Sequence, residues 1–262
     1  MNGIEHNNLQ KILKERNHRP YSLPEWPWVT TQRWENVLFL HWQFSPNVLK
    51  PHIPKQLQLD LYDAAAWIGI VFFQVKGMRL RSMPALPRLS SFLQLNVRTY
   101  VTYNGLPGVY FFSLDVDSKF ACLLAKTIYS LPFRRADVKL DRQGDYMNMV
   151  YARKKGSFAG EMSCSYAPVS AVFQAQINTF DHWLLERYCL WNIRKNDLWR
   201  TDIHHTKWNF QKAEVILHSH SMAGYLHRKS FLDHPLVHYA AMKQALFWLP
   251  VKEESLFFEK RY

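Results

Sequence analysis

Glycine and cysteine are scarce in this sequence, and long apolar runs are missing. Nine glycines in 262 residues exclude collagen-like and glycine-rich linker material. The three cysteines, Cys122, Cys164 and Cys189, form no Cys-x-x-Cys pair, and one must stay unpaired in any disulfide scheme. This pattern favours a reducing compartment.

No segment supplies the about 20 apolar residues that a membrane-spanning helix needs, and Met1–Asn8 is too polar to begin a signal peptide. We therefore expect a cytoplasmic protein without a membrane partner.

Acidic side chains are also few: 33 lysines and arginines face 21 aspartates and glutamates, a net charge of +12. The basic residues are scattered, with one run at Arg153–Lys155, predicted in a turn, and a looser N-terminal group. No glycine-rich phosphate loop, zinc-finger spacing or ribonucleoprotein motif accompanies them, so nucleic acid is not expected as a partner. The twelve histidines, including His204 and His205, show no metal-ligand spacing. We predict no metal site and no cofactor.

What the sequence does contain is apolar and aromatic material, at 48% and 15% of residues, which excludes a disordered chain. Alternating apolar patterns predict mostly strands, and capping residues predict a few helices. The predicted helices begin near residues 9, 46, 119 and 180, and the clearest strands are 37–42, 67–75, 92–101, 109–117, 213–220 and 236–248. Residues 1–20 are predicted to be a polar N-terminal segment. Residues 21–262 are predicted to form one α+β domain of mostly antiparallel sheet, closed or nearly closed.

One predicted strand carries an unusual polar face. Because side chains alternate along a strand, Gln94, Asn96, Arg98 and Tyr100 share one surface. The next strand of the predicted hairpin adds Asp115 to this polar set. Two interpretations are open: the face lines an internal cavity, or it faces solvent with a cross-strand pair between Arg98 and Asp115.

The amino-acid sequence of several segments resembles that of the YqjF-like family of uncharacterised bacterial proteins. The resemblance rests on WENVLFLHW at 34–42, FLQLNVRTYV at 92–101, GVYFFSLDVD at 108–117, ERYCLW at 186–191 and IHHTKW at 203–208. This family is similar in fold to the acetoacetate decarboxylase-like superfamily. The resemblance implies a cone-shaped antiparallel β-barrel within a larger sheet, flanked by a few helices, and it favours the cavity interpretation.

The resemblance does not carry the decarboxylase chemistry with it. Acetoacetate decarboxylases use a lysine amine to form a Schiff base, beside a second lysine. In the comparable stretch, Leu131–Ala136, Arg134 and Arg135 stand where the lysines would be, and Gln94 stands in place of a glutamate. A guanidinium stays protonated and cannot attack a carbonyl. Schiff-base decarboxylation is therefore not expected, although Lys139 lies close enough in sequence to remain a candidate.

Arginines are well suited to hold anions. The leading hypothesis is that the barrel cavity binds a small anionic or aromatic organic molecule. The ligand-binding candidates are Gln94, Asn96, Arg98, Tyr100, Asp115, Arg134 and Arg135. One alternative is a lyase acting on an oxo acid, with Lys139 or Asp115 active. A second is a structural or interaction protein whose barrel is filled by its own side chains.

Overall fold

The computed structural model describes residues 3–86, 89–129, 131–154, 160–222 and 234–253. Its helices are α1 (Gly3–Lys14), α2 (Pro46–Leu49), α3 (Lys119–Tyr129) and α4 (Phe180–Leu185), with a 3₁₀ turn at Lys50–His52. Its strands are β1 (Thr30–Phe44), β2 (Gln58–Leu59), β3 (Ala66–Leu80), β4 (Phe92–Tyr103), β5 (Leu106–Val116), β6 (Phe133–Arg135), β7 (Asp137–Gln143), β8 (Tyr146–Arg153), β9 (Gly160–Pro168), β10 (Cys189–Arg194), β11 (Asp197–His204), β12 (Gln211–His220), β13 (Leu236–Phe247) and β14 (Val251–Lys252). In this part of the chain, every helix is too short or too polar to cross a membrane.

Seven of the strands close into a ring. Their hydrogen-bonded order is β11-β10-β5-β4-β3-β1-β13, and β13 returns to β11 through the pairs Ile203–Phe247 and His204–Leu246. Most neighbours are antiparallel, as predicted, but β5 pairs in parallel with both β10 and β6, so the sheet is mixed. Strands β12, β9, β8 and β7 continue from β13 as a second layer, and the short strands β2, β6 and β14 pair with β4, β5 and β11, respectively.

The two layers create two apolar cores. In β1, Leu38, Leu40 and Trp42 face outward and pack with residues of β8 and β9 in the second layer. Val37 and Phe39, on the alternate positions, face into the ring. Because both faces of the ring strands are buried, these strands need apolar residues at nearly every position. This is why residues 37–42 of β1 and most of β3 are near-continuous apolar runs.

Local signals in the sequence are confirmed where they are strongest. The hairpin of β4 and β5 turns at Asn104 and Gly105, both with positive φ, a conformation that asparagine and glycine tolerate best. The Ser118 hydroxyl accepts a hydrogen bond from the Ala121 amide at the start of α3, and Thr179 caps α4 in the same way. Capping and turn chemistry thus set the boundaries of these elements.

One basic segment is placed differently from the prediction. Arg153 is not in an exposed turn but is the last residue of β8, with only 4% of its surface exposed. Its Nε lies 3.2 Å from a carboxylate oxygen of Asp115. Lys155 lies outside the described residues. The apparent basic run therefore contains an internal ion-pair partner, which a charge count cannot reveal.

Candidate functional site

A cavity of about 120 Å³ lies inside the strand ring. One end is covered by α3 and the residues that follow it, including Tyr129, Leu131 and Phe133. Most of the lining is apolar, and much of it is aromatic. The polar side chains at the wall are Thr30, Gln32, Gln94, Asn96, Arg98, Arg187 and His205. Among the described residues that line this space, none is a lysine, a carboxylate or a cysteine. An apolar cavity with a few convergent polar groups is the usual form of a small-molecule site.

Three of the predicted residues, Gln94, Asn96 and Arg98, project from β4 into this cavity. Gln94 and Asn96 are 7% and 4% exposed, so their amides face the interior rather than solvent. The Oδ1 atom of Asn96 has no hydrogen-bond donor among the described residues. The structure therefore places these three positions of the polar face at the cavity wall.

Arg98 is the least compensated charge at the cavity wall. Its guanidinium carbon lies 5.7 Å from the ring centres of both Phe39 and Tyr100. Within the described part of the chain no carboxylate pairs with it, and its Nε and one terminal nitrogen have no hydrogen-bond acceptor. Arg187, at the same wall, differs because its Nη1 lies 2.5 Å from Asp60. A half-buried cation without a counter-ion is costly, and a bound anion would offset that cost.

Tyr100 continues the polar face of β4 but lies behind the cavity wall. It is fully buried, and burial raises the pKa of its phenol. Beside it lies His41 of β1, which the sequence analysis missed. Gly69 leaves room for both: a Cβ atom there would lie 3.3 Å from the Tyr100 hydroxyl and from His41 Nε2. Burial, with Arg98 and His238 nearby, holds the pKa of His41 well below its ordinary value.

Asp115 does not share the face of Gln94 and Arg98, so that expectation is wrong. In the β4–β5 register, Asp115 pairs with Leu95, and a bulge separates this register from the Arg98–Phe111 pair. Directly paired residues of antiparallel strands project to the same side of a sheet. Asp115 therefore points away from the cavity, toward the second layer, where it meets Tyr151 and Arg153.

The two arginines after α3 are also outside the cavity lining. In the parallel β5–β6 register Arg134 lies opposite Asp115. Burial raises the pKa of the Asp115 carboxyl, and the positive charge of Arg134 opposes this rise. Arg135 is exposed. Their neighbour Phe133, by contrast, lines the cavity. Any role of these two arginines in ligand binding stays a prediction.

Neither Lys139, the lysine that the sequence analysis kept as a candidate, nor the buried Lys243 belongs to the cavity lining. Lys139 is exposed on β7, in the second layer. Lys243 of β13, not anticipated from sequence, is 5% exposed, and burial lowers its pKa to about 8. Its Nζ donates hydrogen bonds to Thr206 Oγ1 at 3.1 Å and to the Lys207 carbonyl at 2.5 Å. This amine is occupied in holding the segment between β11 and β12.

Buried histidines make folding stability sensitive to acid. Burial lowers the pKa of both His204 and His220 to about 4, against 6.5 in an unfolded chain. Between these values the unfolded state binds more protons, so the free energy of unfolding falls as pH drops from 7 to 5. We expect each histidine to contribute about 1–2 kcal/mol to this loss.

Urea unfolding at pH 7 and pH 5 measures this effect. His204→Gln keeps a polar side chain and should shrink the difference by about 1–2 kcal/mol. The matched control is His52→Gln, at an exposed position, which should leave the difference as in the unsubstituted protein. An identical loss of stability in all three proteins would contradict the assignment to His204.

Comparison with known proteins agrees with this fold. An acetoacetate decarboxylase from Legionella pneumophila has a TM-score of 0.60 and 15% identity, and the match covers 93% of this chain and 95% of that one. The enduracididine biosynthesis enzyme MppR, complexed with the condensation product of pyruvate and imidazole 4-carboxaldehyde, has a TM-score of 0.61 and 10% identity, covering 88% and 90%. At these identities the likeness shows the fold alone.

The sequence comparisons define the family. Uncharacterized protein YqjF of Bacillus subtilis (strain 168) is 39% identical over 234 residues, which cover 89% of this chain and 96% of that protein. A model of the family DUF2071, described as an uncharacterized conserved protein, matches residues 31–244. The expected fold likeness and the resemblance to YqjF are thus both confirmed, and the chain belongs to the DUF2071 family of YqjF-like proteins.

Proposed function

We propose that this protein binds a small organic anion with an apolar, planar body inside the strand ring. The observation that carries the proposal is Arg98, a cation at the wall of an apolar cavity with no carboxylate partner in the described part of the chain. Two neutral amides, Gln94 and Asn96, lie on the same strand face and can donate to the same anion. Together they form one polar wall suited to a carboxylate.

The rest of the cavity favours an aromatic body for this ligand. Phe39 contacts both Arg98 and Trp208; its ring centre is 5.2 Å from that of Trp208 in an edge-on arrangement. Aromatic walls of this kind bury a flat apolar group and stack favourably with it. The solved structures with the same fold support the idea of an organic-acid site, since MppR has been determined with pyruvate bound.

The two alternative functions have less support. A Schiff-base lyase needs a lysine amine that reaches the substrate, and the described lining residues include none. A barrel filled by its own side chains would leave no space, whereas about 120 Å³ is open here. Reversible binding without a covalent step is therefore the simplest function for these residues.

A thermal-shift screen with three matched probes tests the proposal. Phenylacetate should raise the melting temperature, because a ligand that binds only the native state stabilises it. Cyclohexylacetate carries the same charge without the flat ring and should act more weakly. Phenethylamine carries the opposite charge and should have no effect. If no acid in a wider panel of aromatic carboxylates raises the melting temperature, or if the amine acts equally, the proposal is wrong.

A further inference from the structure

His205 places a hydrogen-bond acceptor at the cavity wall that the proposed function does not yet use. The residue follows β11, is 2% exposed and belongs to the lining. Its ring packs between Tyr188, at 4.8 Å, and Trp208, at 5.2 Å between centres. These contacts fix the plane of the imidazole, so its two nitrogens have set directions.

The hydrogen bonds around His205 determine which nitrogen carries the proton. Nδ1 lies 2.9 Å from the carbonyl oxygen of Thr206. A carbonyl can only accept, so Nδ1 is the donor. Burial and the nearby Lys243 hold the pKa of His205 well below its ordinary value, which keeps the ring neutral. Nε2 therefore carries a lone pair, and no described residue donates a hydrogen bond to it.

The position of His205 relative to Arg98 constrains the shape of the ligand. Arg98 lies on β4 and His205 directly after β11, and these strands are separated by two strands on one side of the ring and by three on the other. The two residues therefore stand on opposite walls. Phe39, beside Arg98, and Trp208, beside His205, connect the walls through aromatic contact. A ligand that spans the cavity meets a cation at one end and a neutral acceptor at the other.

We infer that the ligand carries a neutral hydrogen-bond donor at the end opposite its acid group, and that His205 Nε2 accepts this hydrogen. The inference rests on the proposed function and narrows it to hydroxylated, or N–H-bearing, aromatic acids. A purely hydrocarbon end would cover the Nε2 lone pair without replacing its hydrogen bond to water. Burying an acceptor in this way is costly, so the hydroxylated ligand is favoured.

The test compares ligands that differ only at the donor. Calorimetric titration uses phenylacetate, 4-hydroxyphenylacetate and 4-methoxyphenylacetate; the last keeps the oxygen but has no hydrogen to donate. We expect the hydroxyl to increase affinity by about fivefold over phenylacetate, a typical net value for one hydrogen bond. The methoxy compound should show no gain. In His205→Phe the hydroxyl should give no gain in affinity over phenylacetate. His205→Gln retains an acceptor and should keep part of the gain.

The outcomes separate this inference from the function on which it rests. If none of the three acids binds and no acid of the wider panel raises the melting temperature, the proposed function fails. If the acids bind but the hydroxyl gives no advantage, or an equal one in His205→Phe, only the role of His205 is wrong. Binding of phenylacetate to His205→Phe shows that the cavity of that variant is intact. Should that variant not fold, the hydroxy–methoxy comparison on the unsubstituted protein still decides the question.

Discussion

Replacing Arg98 with methionine is expected to weaken binding of phenylacetate by about 10- to 100-fold. Hydrogen bonds between a guanidinium and a carboxylate contribute about 1.5–3 kcal/mol, and methionine fills similar space without donating any. Arg98→Lys should give an intermediate loss, because an ammonium cannot form the planar two-point contact that a guanidinium makes. Isothermal titration at fixed ionic strength measures all three affinities.

Arg98→Met should weaken ligand binding but should not destabilise the ligand-free protein. In the described structure Arg98 faces aromatic rings rather than a carboxylate, so its removal should leave the free energy of unfolding unchanged or raise it by about 1 kcal/mol. Arg142→Gln, at an exposed site on β7, is the control for loss of one positive charge. Undiminished affinity in Arg98→Met, or a strong loss of its stability, would show that Arg98 serves the fold and not a ligand.

Much of the local structure follows from the sequence because local chemistry determines it. The Asn104–Gly105 turn specifies the β4–β5 hairpin, and Ser118 and Thr179 specify where helices begin. The alternation of polar residues along β4 also identified Gln94, Asn96 and Arg98 as one face. The prediction of a closed sheet rested on the many strands whose edges need protection. The prediction of a fold like that of acetoacetate decarboxylases rested on the family resemblance.

The sequence analysis predicted the wrong orientation for Asp115 on β5, and this error has a specific cause. Strict alternation predicts Ser113, Asp115 and Phe111 on one side, but Phe111 and Leu114 both line the cavity. The extra residue of the bulge between them reverses the alternation. Nothing in the local pattern marks such an insertion, because the residues on both sides of it are equally compatible with a strand. For this reason the sequence pattern placed Asp115 on the cavity side of β5, whereas its side chain lies on the side that faces the second layer.

Other cavity residues could not be assigned to the cavity from the sequence because the fold brings them from distant parts of the chain. Arg187 and His205 lie about 90 to 110 positions after Arg98 and join it only when the ring closes. Their neighbours in sequence are aromatic and apolar, which is equally typical of an ordinary core. His41 is similar: it stands within the apolar run of β1, where an isolated histidine gives no signal of a neighbouring cavity.

The largest effect on stability is expected from Asp115→Ala, which should lower the free energy of unfolding by about 3–5 kcal/mol. The Asp115 carboxylate accepts hydrogen bonds from Tyr151 at 2.8 Å and from Ser113 at 3.1 Å, and lies 3.2 Å from Arg153 Nε. Its removal deprives a 4%-exposed arginine of its carboxylate partner. Urea unfolding measures the loss. The control, Asp197→Ala, breaks an ion pair with Lys252 that is about half exposed and should cost less than about 1 kcal/mol.

A paired replacement separates the cost of a broken ion pair from the value of an intact one. Asp115→Leu combined with Arg153→Met removes both charges and should recover most of the stability that Asp115→Ala loses, because apolar groups of similar size replace a buried pair at little cost. The double variant also tests the function of Asp115. Since its carboxylate points away from the cavity, the double variant should bind phenylacetate as tightly as the unsubstituted protein. A large loss of affinity in this folded variant would return Asp115 to the ligand site that the sequence pattern first suggested.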